Sequence, residues 1–156
     1  MHETTVKVVL QKDLDGTYAL SVTPSNPITL AEQIELDENS VDEMNLIWKF
    51  EEHPDNPDRP NAKRLVITFK STSPFFEDTT GVYDVPIGPD GAEVATSAVR
   101  SGVTGNRPFK LFKYDIEVYA IGTERNELGE LIDEKVLLDP HVRIKRGTVR
   151  AKDLVD

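Results

Sequence analysis

The segment KLFKYDIEVYAI, residues 110–121, alternates apolar and polar side chains along its whole length. Phe112, Tyr114, Ile116, Val118 and Ala120 fall on one side, and Lys113, Asp115, Glu117 and Tyr119 on the other. A helix of period 3.6 would scatter both sets around its circumference, whereas an extended strand of period two separates them. The same period recurs through the chain. TVKVVLQ aligns Val6, Val8 and Leu10, and TYALSV aligns Tyr18, Leu20 and Val22 just after an Asp15-Gly16 hairpin signal. ITLAEQIEL puts Ile28, Leu30, Ile34 and Leu36 in one row, NLIWKF puts Leu46, Trp48 and Phe50, and RLVITFK puts Leu65, Ile67 and Phe69. GVYDVPI is a shorter strand, confined by Pro86 to an edge or a strand end. KVLLDPHVRIK closes the series with Val136, Leu138, Val142 and Ile144 in phase.

Between these strands lie turn-rich stretches: TPSNP, EEHPDNPDRPN, STSPFFEDTTG, IGPDGAE, SGVTGNRP and IGTERNELGE. LDENSVDEMN alone has room for a turn of helix, capped by Asp37 or Asn39, and TSAVRSG reads as a strand or a short turn. One sheet would leave a whole row of apolar side chains in water, so two sheets must close on each other. The expected fold is therefore all-β, an antiparallel two-sheet β-sandwich of about eight or nine strands with Greek-key connections. No linker or repeat divides residues 1–156, which read as one domain, with 147–156 a loosely held tail.

Composition narrows the function classes. Asp and Glu number 28 against 18 Lys and Arg, a formal charge of -10, and a surface of that sign repels nucleic acid and anionic membranes. The absence of cysteine excludes disulfides, thiolate zinc sites, iron–sulfur clusters and cysteine nucleophiles. No apolar run approaches the roughly 20 residues of a membrane helix, and MHETTVKVVLQKD has no signal-peptide pattern. The expectation is a cytoplasmic protein, an export signal removed beforehand being compatible with the same residues.

EEHPDNPDRP gathers Glu51, Glu52, His53, Asp55 and Asp58, and calcium takes six to eight oxygen ligands. The spacing matches no EF-hand, so a solvated acidic loop is the plainer reading of these candidate ligands. The three histidines are dispersed, and no nucleophile elbow, zinc-binding helix or phosphate loop occurs, so no catalytic residue is assigned. Glu32 interrupts an apolar row: on a straight strand it would be a buried general acid, whereas the favoured reading is a β-bulge or a switch between sheets. In the last strand His141, Arg143 and Lys145 take the outward parity, expected to face Asp115 and Glu117 on the preceding strand rather than a ligand. Of the adjacent Phe75 and Phe76, one is expected to plug an end of the sandwich. Exposed together with Tyr119, they would form a partner-binding patch.

FKYDIEV followed by LLDPHVRI resembles the end of cupredoxin-like sandwiches, particularly small uncharacterised bacterial members, and immunoglobulin-like sandwiches share the architecture. NLIWKF, RLVITFKSTSPF and GVYDVPIG are similar to the middle strands of that group, so the likeness spans Asn45 to Lys145. It implies a fold and no activity. Type-1 copper needs two His, one Cys and an axial ligand, and the matching strand offers Ile116, Glu117 and Val118 in a chain without cysteine. The expected role is a non-catalytic, acidic binding or protein-interaction module without a cofactor, with a protein partner or a second copy held through an edge strand. A calcium- or carbohydrate-binding domain is the alternative, and a hydrolase with paired carboxylates a further one.

Overall fold

The computed structural model describes residues 2–24, 28–32, 34–35, 41–70, 72–75 and 81–146, with 34, 35, 41 and 42 described by backbone only. β1 (His2–Lys12) and β2 (Tyr18–Thr23) form the expected hairpin. Its turn is closed by Asp13 N donating to Thr17 O and by Thr17 N donating to Asp15 Oδ1. β3 (Ile28–Ala31) enters a second sheet, and β4 (Ile34–Glu35) pairs β5 (Val41–Asp42) in a two-residue ribbon. β6 (Met44–Glu52) returns to the first sheet, so Met44 and Asn45, assigned to a possible helical turn by sequence, are strand; residues 36–40 lie outside the described residues. β7 (Ala62–Phe69) and β8 (Val82–Pro86) join the second sheet, and β9 (Ala92–Ala95) the first. β10 (Phe109–Arg125), β11 (Leu131–Leu138) and β12 (His141–Lys145) complete the second sheet.

The first sheet has the order β2-β1-β6-β9 and the second β3-β12-β10-β7-β8, with β11 also paired to β10. The fold is all-β, and no helix occurs among the described residues. Ten strands rather than eight or nine build the two sheets, one of which curls into a half-barrel. Both sheets are mixed, which corrects the antiparallel expectation: β1 runs parallel to β6, and β12 parallel to β3. The chain between β1 and β6 visits the other sheet before returning, which supplies the crossover that a parallel pair needs. Alternation reports which side of a strand is buried and is silent on the direction of its neighbour.

Inward parity is as expected. Val6, Val8 and Leu10 of β1, Leu46, Trp48 and Phe50 of β6, Leu65, Ile67 and Phe69 of β7, Phe112 to Ala120 of β10 in alternation, and Val142 and Ile144 of β12 share one core. Each large side chain so buried contributes about 1.5–3 kcal/mol. β8 lies beside β9 at one flank and β11 beside β2 at the other. The pairs β10 makes with β11 and β12 keep a single register from Ile121↔Asp133 to Phe109↔Lys145. The break at Asp139-Pro140 arises because Pro140 has no N–H for the ladder, although its carbonyl still accepts from Tyr114 N at 3.1 Å. The tail 147–156 lies outside the described residues, and among these no helix is long and apolar enough to cross a membrane.

Candidate functional site

The acidic loop after β6 is occupied with holding two strand ends together. Glu52 accepts hydrogen bonds on Oε1 from Asn61 N and from Ala62 N (2.5 Å), which fixes the start of β7. Glu51 points to Lys7 at 2.7 Å, on the parallel neighbour β1. His53 N donates to Leu10 O, and the buried Asn56 amide copies a strand edge: Lys12 N donates to Asn56 Oδ1 (2.7 Å) while Asn56 Nδ2 donates to Leu10 O (2.8 Å). Asp55 N donates to His53 Nδ1 at 3.1 Å. Glu51 and Glu52 thus serve different partners, and Asp55 and Asp58 are exposed. No group of three His, Asp or Glu side chains able to hold a metal ion occurs among the described residues.

The aromatic candidates separate. Phe75 is 0 % exposed, packed edge-on against Phe69 at 5.8 Å between ring centres, and it pairs with Val99. Its loop is pinned by Arg100, whose guanidinium donates to Ser73 O and whose N donates to Pro74 O. Phe75 therefore belongs to the aromatic cluster of Trp48, Phe69, Tyr83 and Tyr114, which agrees with the expectation that one of the adjacent pair is buried and removes Phe75 from the candidate surface patch. Burial also pushes the Tyr114 phenol up to about 12, against the opposing effect of the Trp48 Nε1 hydrogen bond. Phe76 lies outside the described residues. Tyr119 is half-buried on the outer face, its ring under the Arg64 guanidinium (5.5 Å) and its hydroxyl donating to Glu117 Oε2 (3.2 Å).

Glu32 is buried, 7 % exposed, at the end of β3 rather than inside a strand, since the following ribbon leaves the sheet. Its Oε1 accepts from Thr104 N (2.6 Å) and from the Thr104 hydroxyl, so the carboxylate anchors the loop that leads into β10. Of its two readings by sequence, the switch between sheets matches the strand end, and the burial expected of a general acid is met by a structural tether.

The outward parity of His141, Arg143 and Lys145 holds, and their partners differ from expectation. They lie opposite Lys113, Leu111 and Phe109, not opposite Asp115 and Glu117. Those two carboxylates pair instead with Lys70 (3.3 Å) and Lys135 (3.9 Å). The mistaken neighbour follows from register: Asp115 and Glu117 lie further along β10, opposite Asp139 and Leu137. Arg143 stacks over Phe109 at 5.6 Å and donates from Nε to Thr29 Oγ1.

Two features escaped the sequence reading. The first is a cleft of about 410 Å³ beside β6, walled by Arg59, Pro60, Ile87, Pro89 and Asp90. Gly91 is required at its floor, because a Cβ there would stand 2.2 Å from Phe50 O. The second is an arm. IGTERNELGE, read as loop, carries β10 through Arg125, and β11 returns from Leu131. The turn between them is tied by Asn126 Oδ1, which accepts from Leu128 N and Glu130 N. Leu128 is 82 % exposed, and Leu131 and Ile132 also face water. The base of the arm is fastened to the first sheet by Tyr18, whose hydroxyl donates to Ile121 O at 2.6 Å. Burial, followed by the nearby charges of Glu134, Glu52 and Asp58, pushes that phenol up to about 12. Asn126 and Gly129, between β-branched Ile121, Thr123 and Ile132, were the signal available for the hairpin.

No protein-family model matches this chain, and no curated protein matches it.

Proposed function

We propose that this chain is a non-catalytic protein-interaction module that presents the β10–β11 arm to its partners. The observation that carries this is the outer edge of β11 at residues 131–133, which pairs with no second strand among the described residues. The strand is hydrogen-bonded to β10 on one side, while Leu128, Leu131 and Ile132 stand exposed around it. A free strand edge with apolar side chains is a template for another strand, and added strands are a common mode of peptide capture. The shared core and the two touching flanks support reading the fold as a β-sandwich, in keeping with the cupredoxin-like or immunoglobulin-like resemblance.

Replacing residues 122–132 by Asn-Gly tests the reading, because Ile121 and Asp133 already pair and a two-residue turn can close them. The shortened chain is expected to keep its fold by circular dichroism. In cross-linking within the source cells it is expected to lose partners that the full chain retains. Identical partner sets for the two chains, or none for either, would overturn the proposal.

The cleft beside Arg59 favours a second reading, a small-ligand site of the carbohydrate-binding kind. Its volume falls within the range of ligand pockets, about 300–1,000 Å³. A rise in melting temperature with a panel of sugars, abolished by Arg59→Ala or by filling the cleft with Gly88→Trp, is the expected result; no shift with any sugar removes this reading.

A further inference from the structure

We infer that the outer face of β10 and β12 is a docking site for the β10–β11 arm of a second copy of this chain. The inference rests on the proposal that the arm is the interaction element, and it names the occupant. Three cross-strand pairs build the face: Phe109 with Lys145, Leu111 with Arg143, and Lys113 with His141. Two of the three join an apolar side chain to a cation. Phe109 and Leu111 are each 47 % exposed, although apolar side chains of this size normally find cover.

The charge of this face is opposite to that of the molecule. By parity the face carries Lys113, Arg143 and Lys145 with His141, and residues 105–113 and 141–146 hold no Asp or Glu, in a chain whose formal charge is -10. None of Lys113, Arg143 and Lys145 forms an ion pair with a described residue. The arm is the complement, with Leu128, Leu131 and Ile132 exposed among Glu124, Glu127 and Glu130, while its one cation, Arg125, donates to Gly129 O within the turn. A basic face with apolar side chains and an acidic arm with apolar side chains match in both respects.

The two cannot meet within one molecule. Glu124 stands eleven positions beyond Lys113 on the same strand, about 36 Å at the usual rise of a strand. The arm must therefore come from another copy. Since face and arm occupy opposite ends of one strand pair, two copies set antiparallel make both contacts at once, and a twofold axis closes the assembly as a dimer.

Light scattering and sedimentation of the purified chain over a concentration series, at low and at high salt, test this. A dimer weakened by salt is expected, since exposed charges are screened. Lys113→Glu with Lys145→Glu on the face, or Glu127→Lys with Glu130→Lys on the arm, is expected to weaken self-association by about tenfold or more. Mixing the two variant proteins is expected to restore a dimer, because each then meets opposite charge at both contacts. Lys49→Glu and Asp13→Lys, charge changes elsewhere on the surface, serve as controls and are expected to leave the dimer intact. Circular dichroism checks that each variant is folded. A chain that stays monomeric at every soluble concentration overturns the inference, as does a dimer that ignores both charge reversals or a mixture that stays apart. If the chain is monomeric while an arm-dependent partner is still recovered from cells, this inference falls and the interaction module stands. If the shortened arm changes no partner, the interaction module falls whatever the purified chain does.

Discussion

The longest strand of the molecule is two different structures end to end. From Tyr114 to Ala120, β10 lies between β7 on one side and the run of β11 and β12 on the other, with every second side chain in the core. Beyond Ile121 the same ladder runs on with β11 alone, and both faces of the hairpin meet water. The inner half is held by burial and the outer half by backbone hydrogen bonds and its turn. Alternation is thus a record of burial rather than of strand geometry, and a strand with water on both sides need not show it.

The largest effect expected from this contrast is at Ile116, fully buried, against Ile132 on the arm. Ile116→Ala is expected to cost about 2–5 kcal/mol in denaturant unfolding, as large-to-small changes in a packed core do. Ile132→Ala is expected to stay within about 0.5 kcal/mol, the usual size for a surface site. Equal losses at the two positions would mean that the arm is packed against something, and the division of β10 would be wrong.

Gly122 marks the boundary. The pairing of β10 with β11 shifts between Ile121 and Arg125, and a Cβ on Gly122 would stand 2.3 Å from Ile132 O. Backbone cannot yield there without parting the two strands. Gly122→Ala is expected to cost about 1–3 kcal/mol, as overpacking does, and to speed amide exchange at Ile132 and Asp133 while Ile116 and Val118 keep their protection. Faster exchange in both sets would show that inner and outer halves unfold as one unit.

What could be read from the amino-acid order follows the same boundary. The parity of β1, β6, β7, β10 and β12 was legible because each has one face in the core, and apolar side chains there had to repeat every second residue. The direction of β1 against β6, and of β12 against β3, was not legible, since a parallel neighbour buries the same face as an antiparallel one. The outward partners of Arg143 and Lys145 were misjudged for a related reason: parity names a face, and only register names the residue opposite. That one of Phe75 and Phe76 is buried was legible, but not that it is Phe75, whose burial depends on Arg100, distant in sequence, holding its loop in place. The arm and the Arg59 cleft left almost no trace, one lacking a core and the other being formed by two loops.

Alkaline pH probes where the arm joins the body. The Tyr18 and Tyr114 phenols, held near 12 against an ordinary 10.0, keep their protons in the folded state at pH values where the unfolded chain has released them. The unfolded state then binds fewer protons, so stability is expected to fall as pH rises from about 10 to 12. Tyr18→Phe is expected to remove part of this slope, and to loosen the base of the arm through loss of the bond to Ile121 O. Absorbance titration of the phenols checks the first point; a Tyr18 midpoint at the ordinary value would mean that β2 does not cover the arm base.

The smallest effect sits at the middle of the ladder, where Asp115 and Asp139 take opposite places between the Ile116↔Leu138 and Lys113↔His141 pairs. Like charges facing across strands repel, and here Lys70 stands between them, 2.7 Å from Asp139 and 3.3 Å from Asp115. Its hydrogen bond holds the Asp139 carboxyl below the ordinary 3.8, and Asp139 in turn raises Lys70 above its ordinary value. A depressed carboxyl contributes stability that is present above 3.8 and is lost as pH falls through the lower folded value. The lysine's contribution is complete below its ordinary value and disappears as pH rises through the raised one. Lys70→Met removes the cation that contacts both carboxylates and leaves Asp139 only the charge of Lys113, so protonation is favoured and the Asp139 midpoint is expected to move upward in a carboxyl NMR titration. Acid then relieves the variant where it weakens the parent protein. An unchanged Asp139 midpoint would place Lys70 in solvent and leave the opposed carboxylates at Asp139-Pro140 without their counter-charge, in the stretch where β11 passes into β12.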